Sequence, residues 1–445
     1  MDTTQKAGEP GALLRALGIL SIRDLNREPS AGREQGQGRD QGAGRDQPPR
    51  EGLLAQKRVL IRCDFNVPLD GDVITDDSRI RGAIPTIEFC RKADARVILC
   101  SHLGRPKGKK NPKYSLEPVA RKLAELLACD VMLPDDCIGD AAIHLIANQR
   151  PGQVVLLENL RFHPEEEENS EDFARKLADL CDIYVDDAFG CVHRAHASVS
   201  ALPRLMPARA AGFLLEREIE YLSRLTQSPE SPYVAILGGA KVSDKIEVIE
   251  SLVQIVDVLV IGGAMAYTFL TAQGYDMGKS LVERDHVQLA KHLLQRCEER
   301  GVRVLLPQDH VVVKEVKADA PSQIVDNGHF AADDIAVDIG PATIANYCDL
   351  LAGGQGKGAP RTILWNGPMG IFEMDAFAAG TMAIAKAVAQ TAATSVVGGG
   401  DSVAAVKKAG VTPLISHVST GGGASLEFIS GKPMPGIAAL RGGRR

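Results

Sequence analysis

The 445-residue sequence has no cysteine pair at C-x-x-C spacing and no large excess of positive charge. The first absence excludes zinc ribbons and thioredoxin-like redox motifs. The net charge of −6 argues against a surface that coats DNA or RNA. The nine cysteines are an odd number and lie mostly in apolar runs. We therefore expect free, buried thiols in a reducing cytosol.

No segment has the pattern of an export signal or a membrane span. Asp2, Glu9 and Arg15 place charges in the N-terminal stretch, unlike a secretory signal. The segment 258–275 is uncharged over 18 residues, the lower limit for a membrane helix, but it contains glycine, threonine and glutamine. It is better explained as a buried strand, turn and helix. We expect a cytoplasmic protein with no membrane partner.

The common nucleotide-binding signatures are also missing. No G-x-x-x-x-G-K-[ST] loop occurs, and no G-x-G-x-x-G follows a strand-like run. The H-R-D and D-F-G elements of protein kinases are absent as well. A nucleotide site in this chain must therefore be built in another way.

Residues 28–52 differ from the rest of the chain. G-R-[DE]-Q recurs at Gly32, Gly38 and Gly44, and apolar side chains are almost absent. Such a segment cannot bury enough surface to offset its ordering entropy, so we predict a disordered insertion. Its arginines could contact nucleic acid, but acidic residues alternate with them, which favours a solvated linker.

After residue 56, short apolar runs alternate with stretches of helical spacing. This pattern is typical of parallel sheets covered by helices, the α/β class. About a dozen such runs are more strands than a single open sheet usually contains. We therefore predict two doubly wound, Rossmann-like domains joined by an interdomain helix and hinge. The predicted bounds are 1–206 for the N-terminal domain, 207–229 for the helix and linker, 230–416 for the C-terminal domain, and 417–445 for a hinge and a segment returning toward the N-terminal domain.

Cationic side chains follow successive strands of the first half. Ligands of parallel α/β sheets bind at the carboxyl ends of strands, so these side chains should converge on one rim. Convergent guanidinium groups suit phosphate or carboxylate, although a single loop arginine is usually a solvated surface group. Zinc at H-x-x-H 193–196 is a weak alternative because no further ligands stand at metal spacing. The cationic residues are Arg79, His102, Arg105, Arg161 and Arg194.

Glycine-rich loops follow strands of the second half, at 238–239, 398–400 and 421–423. Glycines let the backbone approach a phosphate, and helix N-termini offer free N–H groups. Lys241 and Lys245 follow the first loop and Asp401 follows the second, where they could neutralise phosphoryl charge and hold Mg²⁺. The alternative is that each loop is only a tight turn. Together the halves indicate a small anion on one domain and a Mg-nucleotide on the other.

At this point the chain resembles a known family, the phosphoglycerate kinases. The resemblance runs from about Leu20 to the C-terminus and rests on ordered motifs. They are RCDFNVP (62–68), SHLGRP (101–106), ENLRFH (158–163), HRAH (193–196), LGGAKVSDKI (237–246), WNGPMGIFE (365–373), GGGDS (398–402) and STGGGASLE (419–427).

The resemblance implies reversible phosphoryl transfer between 1,3-bisphosphoglycerate and ADP, giving 3-phosphoglycerate and ATP, in glycolysis and gluconeogenesis. It implies that phosphoglycerate binds to Asp64, Phe65, Asn66, Arg79, His102, Leu103, Gly104, Arg105, Arg161 and Arg194. It implies that the nucleotide binds to Gly238, Gly239, Ala240, Lys245, Asn366, Glu373, Gly399, Gly400, Asp401 and Ser402, with Mg²⁺ on Asp401 and the ribose on Glu373. Arg79, Lys241, Gly421 and Gly422 would stabilise the moving phosphoryl group.

This chemistry needs no general base, because the acceptor carboxylate is already ionised. Catalysis then reduces to positioning and charge stabilisation in a site that closes and excludes water. We expect a hinge near the helix 211–226 and near 417–423, detectable as compaction in small-angle scattering. The insertion should loop out harmlessly.

Three residues depart from the family pattern: Ser402 for threonine, Asp186 for asparagine and Ala264 for glycine. We expect a small effect from Ser402, an added negative charge from Asp186 and a tighter pocket from Ala264. Two other functions are weighed. A non-catalytic relative should have lost Lys241, Arg79 or Asp401, and all three are present. An NAD-dependent oxidoreductase should carry the dinucleotide fingerprint. The family habit predicts a monomer.

Overall fold

The computed structural model describes residues 11–26, 52–354 and 358–444. The predicted insertion at 28–52 lies outside these residues, apart from Gly52. The chain divides into two compact units: unit 1 contains residues 1–220 and 434–445, and unit 2 contains residues 221–433. No helix of the described part is long and apolar enough to cross a membrane.

Unit 1 is built on a six-stranded parallel sheet in the order β5-β6-β4-β1-β7-β8, with a small antiparallel hairpin β2-β3. The central strands β1, β4, β6 and β7 are almost entirely buried, as their continuous apolar sequences predict. The strands are β1 (Arg58–Cys63), β2 (Leu69–Asp70), β3 (Val73–Ile74), β4 (Arg96–Cys100), β5 (Val131–Met132), β6 (Val154–Leu156), β7 (Ile183–Asp187) and β8 (Arg209–Ala211).

The helices of unit 1 cover this sheet. They are Ala12–Ala16, Ile22–Asn26, Ser78–Lys92, Glu117–Leu127, Asp140–Ala147, Pro164–Glu167, Glu171–Ala178, Leu202–Leu205 and Pro435–Leu440, with a π-helix at Ala197–Ala201 and 3-10 turns at Pro112–Tyr114, Leu160–Phe162 and Phe189–Cys191. The helix Phe213–Gln227 crosses the division between the units. The carboxyl group of Asp187 accepts from the Leu214 N–H at 2.9 Å, which fixes the start of that helix.

Unit 2 repeats the architecture with a six-stranded parallel sheet in the order β11-β10-β9-β15-β16-β17. Its strands are β9 (Tyr233–Leu237), β10 (Val258–Ile261), β11 (Arg303–Leu305), β12 (Asp309–Val313), β13 (Gln323–Asp326), β14 (Ile335–Ile339), β15 (Thr362–Asn366), β16 (Thr394–Gly398) and β17 (His417–Val418). Strands β12 to β14 form a separate antiparallel sheet that the sequence reading did not anticipate.

The helices of unit 2 are Ile246–Leu252, Met265–Ala272, Val287–Glu299, Pro341–Ala352, Ala379–Gln390, Gly400–Lys408 and Gly423–Ile429. Short 3-10 turns lie at Ser243–Lys245, Arg284–His286, Asp375–Phe377 and Thr412–Leu414. The uncharged segment 258–275 is a buried strand and helix, as predicted. All nine cysteines are free and seven are buried, which confirms the predicted thiols.

The α/β class with two parallel sheets is therefore confirmed. One segment of unit 1 forms regular structure without a clear sequence pattern: the proline-containing segment 202–210 holds a short helix and most of edge strand β8. Strand β8 pairs with β7 through main-chain hydrogen bonds, and pairing of this kind does not require a distinctive side-chain pattern.

Candidate active site

The loops that follow β1 and β4 meet at the carboxyl edge of the unit 1 sheet because these strands are parallel neighbours. The Phe65 N–H donates to Ser101 Oγ at 2.8 Å, and the Gly104 N–H donates to Asn66 Oδ1 at 2.9 Å. These two bonds fix the first loop against the second. Phe65 and Leu103 are buried, so they support the loops from the apolar side.

Two of the predicted arginines are held by these loops. Arg79, on the first turn of its helix, donates through Nη1 to Asp64 Oδ2 at 2.8 Å and to the Asn66 carbonyl at 3.3 Å. Arg161 donates through Nη1 to the Gly104 carbonyl at 2.9 Å and forms an ion pair with Glu167 at 3.2 Å. Arg161 is buried, which makes a role as a solvated surface group untenable.

His102 lies at the centre of the cations. Burial and the positive charges of four arginines hold the pKa of His102 well below its usual value. The imidazole is therefore neutral at physiological pH. The four arginines are Arg62, Arg79, Arg161 and Arg194. Burial is also the largest cause that lowers the pKa of His196 to about 3, and the charges of Arg161, Arg62 and Arg194 lower it further. We call the group Asp64, Asn66, Arg79, His102 and Arg161 the anion site.

Two further predicted residues are more loosely placed. Arg194 is exposed and donates to His193 at 3.0 Å. Its positive charge nevertheless contributes to the lowered pKa of His102. Arg105 is exposed and makes no hydrogen bond or ion pair with any described residue. The structure thus brings Arg79, Arg161 and Arg194 together around His102.

A buried hydrogen-bond network next to the anion site was not predicted from the sequence. Arg62 is buried on β1 and donates through Nε to Ser198 Oγ at 2.8 Å. Ser198 in turn donates through Oγ to Glu166 at 2.6 Å. Arg62 Nη2 lies 3.3 Å from His102 Nδ1. The sequence did contain an indication of this network, because Arg62 is a charged residue inside the apolar run VLIRC (59–63).

The loops of unit 2 surround a buried ammonium group. Lys245 Nζ donates to the Gly238 carbonyl at 2.6 Å and to the Asn366 carbonyl at 2.8 Å. Burial lowers the pKa of Lys245 to about 8, although Asp401 and Asp244 oppose the shift. A buried cation bound only to carbonyls is well suited to accept a further anionic partner.

The start of the helix Gly400–Lys408 lies beside this lysine. Ser402 Oγ accepts from the Gly367 N–H at 2.5 Å, and Asn366 Nδ2 donates to the Gly398 carbonyl at 2.7 Å. Gly399 has a φ of +91°, and a Cβ there would lie 2.7 Å from Asn366 Nδ2. No side chain caps this helix start, so its N–H groups are available to an anion. We call Gly238, Gly239, Lys245, Asn366, Gly399 and Ser402 the glycine-lined site.

The turn 366–369 lies against the two glycines that follow β9. Only Asn366 of this turn was predicted from the sequence as a site residue. The Gly238 N–H donates to the Asn366 carbonyl at 2.9 Å, and the Gly239 N–H donates to the Pro368 carbonyl at 2.9 Å. A Cβ on Gly238 would lie 2.1 Å from the Pro368 carbonyl oxygen, so only glycine fits. This close approach explains Gly238, and a φ of +103° explains Gly239.

The remaining predicted residues of unit 2 are exposed: Lys241, Ala240, Glu373, Gly400 and Asp401. Among the described residues, the carboxylate of Asp401 has no hydrogen bond or ion pair, and it stands in the first turn of its helix. An unpaired carboxylate beside free N–H groups suits Mg²⁺ carried by phosphates. Gly421 and Gly422 precede the helix Gly423–Ile429, which also has no side-chain cap.

The three departures from the family pattern have distinct surroundings. Asp186 is buried at the end of β7, and burial raises the pKa of its carboxyl group to about 6. Ala264 has an ordinary φ of −66°, so its backbone does not require glycine. Ser402 keeps a hydroxyl that accepts a hydrogen bond.

The fold and these two sites define a class: an α/β protein with a cation-rich anion site on one unit and a glycine-lined site on the other. A family model described as phosphoglycerate kinase matches residues 51–432. The chain is 57% identical over 387 residues to the phosphoglycerate kinase of Moorella thermoacetica, covering 87% of this chain and 97% of that protein. It is 55% identical over 397 residues to the phosphoglycerate kinase of Acidobacterium capsulatum, with the same coverage of 87% and 97%.

Solved structures agree. Phosphoglycerate kinase from Coxiella burnetii matches with a TM-score of 0.80 at 41% identity, over 95% of this chain and 98% of that one. The enzyme from Pyrococcus horikoshii matches with a TM-score of 0.73 at 34% identity, over 87% and 96%. The chain belongs to the phosphoglycerate kinase family, and its activity is that of a phosphoglycerate kinase, a transferase of glycolysis. Nothing in these comparisons supports a non-catalytic relative or an oxidoreductase.

Proposed function

We propose that the anion site binds the phosphoglycerate and that the glycine-lined site binds ATP or ADP with Mg²⁺. The observation that supports the first assignment most strongly is the neutral imidazole of His102 among four guanidinium groups. Such an excess of positive charge at the end of a buried sheet favours a small anion with several acidic oxygens. Arg105 is assigned to the same site by resemblance alone.

In the ATP-consuming direction, a carboxylate oxygen of 3-phosphoglycerate attacks the γ-phosphorus. The bond from that phosphorus to the β,γ-bridging oxygen breaks, ADP leaves, and the product is an acyl phosphate. The bound Mg²⁺ supplies charge neutralisation on the nucleotide phosphates. The chain's own residues orient the two substrates, since no proton must be removed from the attacking group.

Charge stabilisation is assigned to Arg79, Lys241 and the helix start at Gly421 and Gly422. Lys241 is exposed and near the glycine-lined loop in sequence, so its ammonium can follow the transferring group. Arg79 is held in place by Asp64. Lys245 is instead assigned to the phosphates of the nucleotide, because its Nζ is anchored on Gly238 and Asn366.

A coupled assay with 3-phosphoglycerate, MgATP and an NADH-dependent downstream dehydrogenase tests these roles. Lys241→Ala should lower kcat by about 10²–10³-fold, as expected when one stabilising donor is removed. Lys291→Ala, which removes an exposed lysine from the helix Val287–Glu299, is the matched control and should leave kcat unchanged. Equal turnover in the two variants would remove Lys241 from the mechanism.

Binding of 3-phosphoglycerate alone tests the anion site. Arg161→Ala should weaken binding by roughly 10- to 100-fold, the value of a charge-assisted hydrogen bond, without altering the affinity for MgADP. Arg150→Ala removes an exposed arginine of the same unit and serves as the control. If Arg161→Ala bound 3-phosphoglycerate normally, the assignment of the anion site would be wrong.

A further inference from the structure

A second group of ligand-type side chains lies elsewhere on the edge of the unit 1 sheet. Asp136, Cys137 and His163 each offer one donor atom, and these atoms all lie within 4.8 Å of one another. His163 Nε2 is 2.6 Å from Asp136 Oδ1. None of these residues belongs to the anion site.

The topology explains why they meet. Asp136 and Cys137 follow β5, and His163 follows β6 and the turn Leu160–Phe162. Strands β5 and β6 are parallel neighbours with Val131 opposite Val154, so their carboxyl ends reach the same edge of the sheet. Main-chain pairing therefore presents the thiol and the imidazole to one another.

The charges around the thiol favour a cation. Asp136 is adjacent to Cys137, and its Oδ1 accepts from the Cys137 N–H at 2.7 Å. The carboxylate therefore lies against the residue that carries the thiol. A bound cation would be attracted to the carboxylate and would stabilise a thiolate at Cys137.

The other cluster of this type in the described residues has the opposite surroundings. Asp64, His102 and Cys191 also lie within 4.8 Å of one another. Four arginines surround His102, and their charges repel a metal ion. The electrostatics thus assign an anion to that cluster and leave Asp136, Cys137 and His163 as the cation site.

We propose that Asp136, Cys137 and His163 bind a divalent transition metal ion of the zinc type, separate from the Mg²⁺ carried by the nucleotide. A thiolate, an imidazole and a carboxylate form a ligand set that zinc accepts, with water in the fourth position. The thiol proton passes to solvent as the sulfur–metal bond forms.

The Asp136–His163 pair needs only a small adjustment to hold an ion. Tetrahedral ligands about 2.1 Å from an ion lie roughly 3.4 Å apart, so the Asp136–His163 hydrogen bond must open by less than about 1 Å. The side chains of Asp136 and His163 are 34% and 25% exposed, which leaves them room to move and gives the ion a route from solvent. His163 packs against Phe173, with ring centroids 5.3 Å apart, and this contact limits rotation of the imidazole.

Titration of the reduced, full-length chain with Co²⁺ is the direct test. One ion per chain should bind and give a thiolate-to-cobalt charge-transfer band, which Zn²⁺ should abolish by displacement. Excess Mg²⁺ should leave the band intact, because Mg²⁺ prefers oxygen ligands in octahedral geometry. Absence of the band in the wild-type chain would overturn the proposal.

Two cysteine controls locate the ion. Cys137→Ser should abolish the band. Cys129→Ser, at a half-buried cysteine of the same unit, and Cys191→Ser, in the arginine-rich cluster, should both retain it. A band that survives in Cys137→Ser, or disappears in Cys191→Ser, would place the ion elsewhere and refute the proposal.

A second variant covers the case in which Cys137→Ser fails to fold. His163→Asn should fold, because its ring is partly exposed, and should weaken Zn²⁺ binding at least about tenfold. In wild-type protein, the thermal unfolding midpoint should rise with Zn²⁺ concentration and fall back when a chelator is added. Equal Zn²⁺ affinity in wild-type and His163→Asn protein would contradict the ligand assignment.

Discussion

Asp186 is a buried carboxyl group whose ionisation is unfavourable in the folded chain. The Ala188 N–H donates to its Oδ1 at 3.0 Å and the Tyr184 hydroxyl lies 3.4 Å from its Oδ2, but burial outweighs both and raises the pKa from 3.8 to about 6. Because the folded-state pKa is the higher one, the folded state binds the proton more tightly. Stability from this group is therefore present at low pH and is lost as pH rises from about 4 to about 6.

Asp186→Asn should remove this penalty. We expect the free energy of unfolding to rise by about 1–3 kcal/mol at about pH 7.5 and by much less at about pH 4.5, measured by urea denaturation. Asp130→Asn, at an exposed site of the same unit, should change neither value. A less stable Asp186→Asn protein at the higher pH would show that the carboxylate is stabilising there.

Two buried serines of unit 2 should respond differently to truncation. Ser402 Oγ accepts from the Gly367 N–H, whereas Ser223 Oγ has no hydrogen-bond partner among the described residues. Ser402→Ala should lower the free energy of unfolding by roughly 1–3 kcal/mol, because a buried N–H loses its acceptor. Ser223→Ala should be neutral or slightly stabilising. Urea denaturation measures both, and equal losses would contradict the hydrogen-bond assignment.

At the scale of elements, a buried carboxylate fixes the start of the helix Pro341–Ala352. Asp309 accepts from the Ala342 N–H at 2.9 Å, from the Thr343 N–H at 2.7 Å and from Thr343 Oγ1 at 2.6 Å. Asp309 lies on β12, so the same bonds attach the helix to the antiparallel sheet of unit 2. Loss of the carboxylate should affect both elements.

Asp309→Ala should lower the free energy of unfolding by about 2–4 kcal/mol, the combined cost of a lost cap and of buried N–H groups without acceptors. Exposed Asp319 of the same unit provides the control, and Asp319→Ala should change stability little. Thermal or urea unfolding followed by circular dichroism measures the difference. If both variants unfolded alike, Asp309 would have no capping role.

The parallel elements could be predicted because their strands are continuous apolar runs, as in Tyr233–Leu237. The antiparallel sheet of β12 to β14 could not be predicted in this way. Its strand Gln323–Asp326 is mostly exposed and carries polar residues at both ends, so it has no apolar run to reveal it. Its pairing with β12 depends on main-chain bonds that tertiary packing brings together.

The residues of the candidate site could likewise be predicted only in part. Strand-end positions predicted the gathering of Arg79, His102 and Arg161, because parallel strands deliver their loops to one edge. Arg62 was missed because its partners, Ser198 and Glu166, are far from it in sequence. Lys241 and Asp401 are exposed, and their proposed roles rest on their positions after glycine-rich loops and on the resemblance, not on contacts within the chain.

At the scale of the whole molecule, unit 1 is completed by residues far along the chain. The helix Pro435–Leu440 buries Ile437 and Leu440, and the Gly436 N–H donates to the Val192 carbonyl at 2.9 Å. The Gly442 N–H donates to the Gly18 carbonyl at 3.0 Å. Unit 2, residues 221–433, is thus inserted between two parts of unit 1.

Deletion of residues 434–445 should destabilise unit 1 selectively, by on the order of 3–6 kcal/mol for the two buried side chains. Trp365 is the only tryptophan and is buried in unit 2, so its fluorescence reports unit 2 alone, while circular dichroism reports both units. The urea midpoint by circular dichroism should fall while the fluorescence midpoint stays. Equal shifts by both probes would argue against a selective effect.

The insertion of one unit within the other also bears on biosynthesis. A ribosome synthesises all of residues 221–433 before it makes the segment that completes unit 1. Most of unit 2 therefore leaves the ribosome before that segment does, whereas unit 1 must wait with an unfilled apolar surface. In a growing polypeptide, unit 1 is made first but should finish folding last, and it should have the greater need of a chaperone.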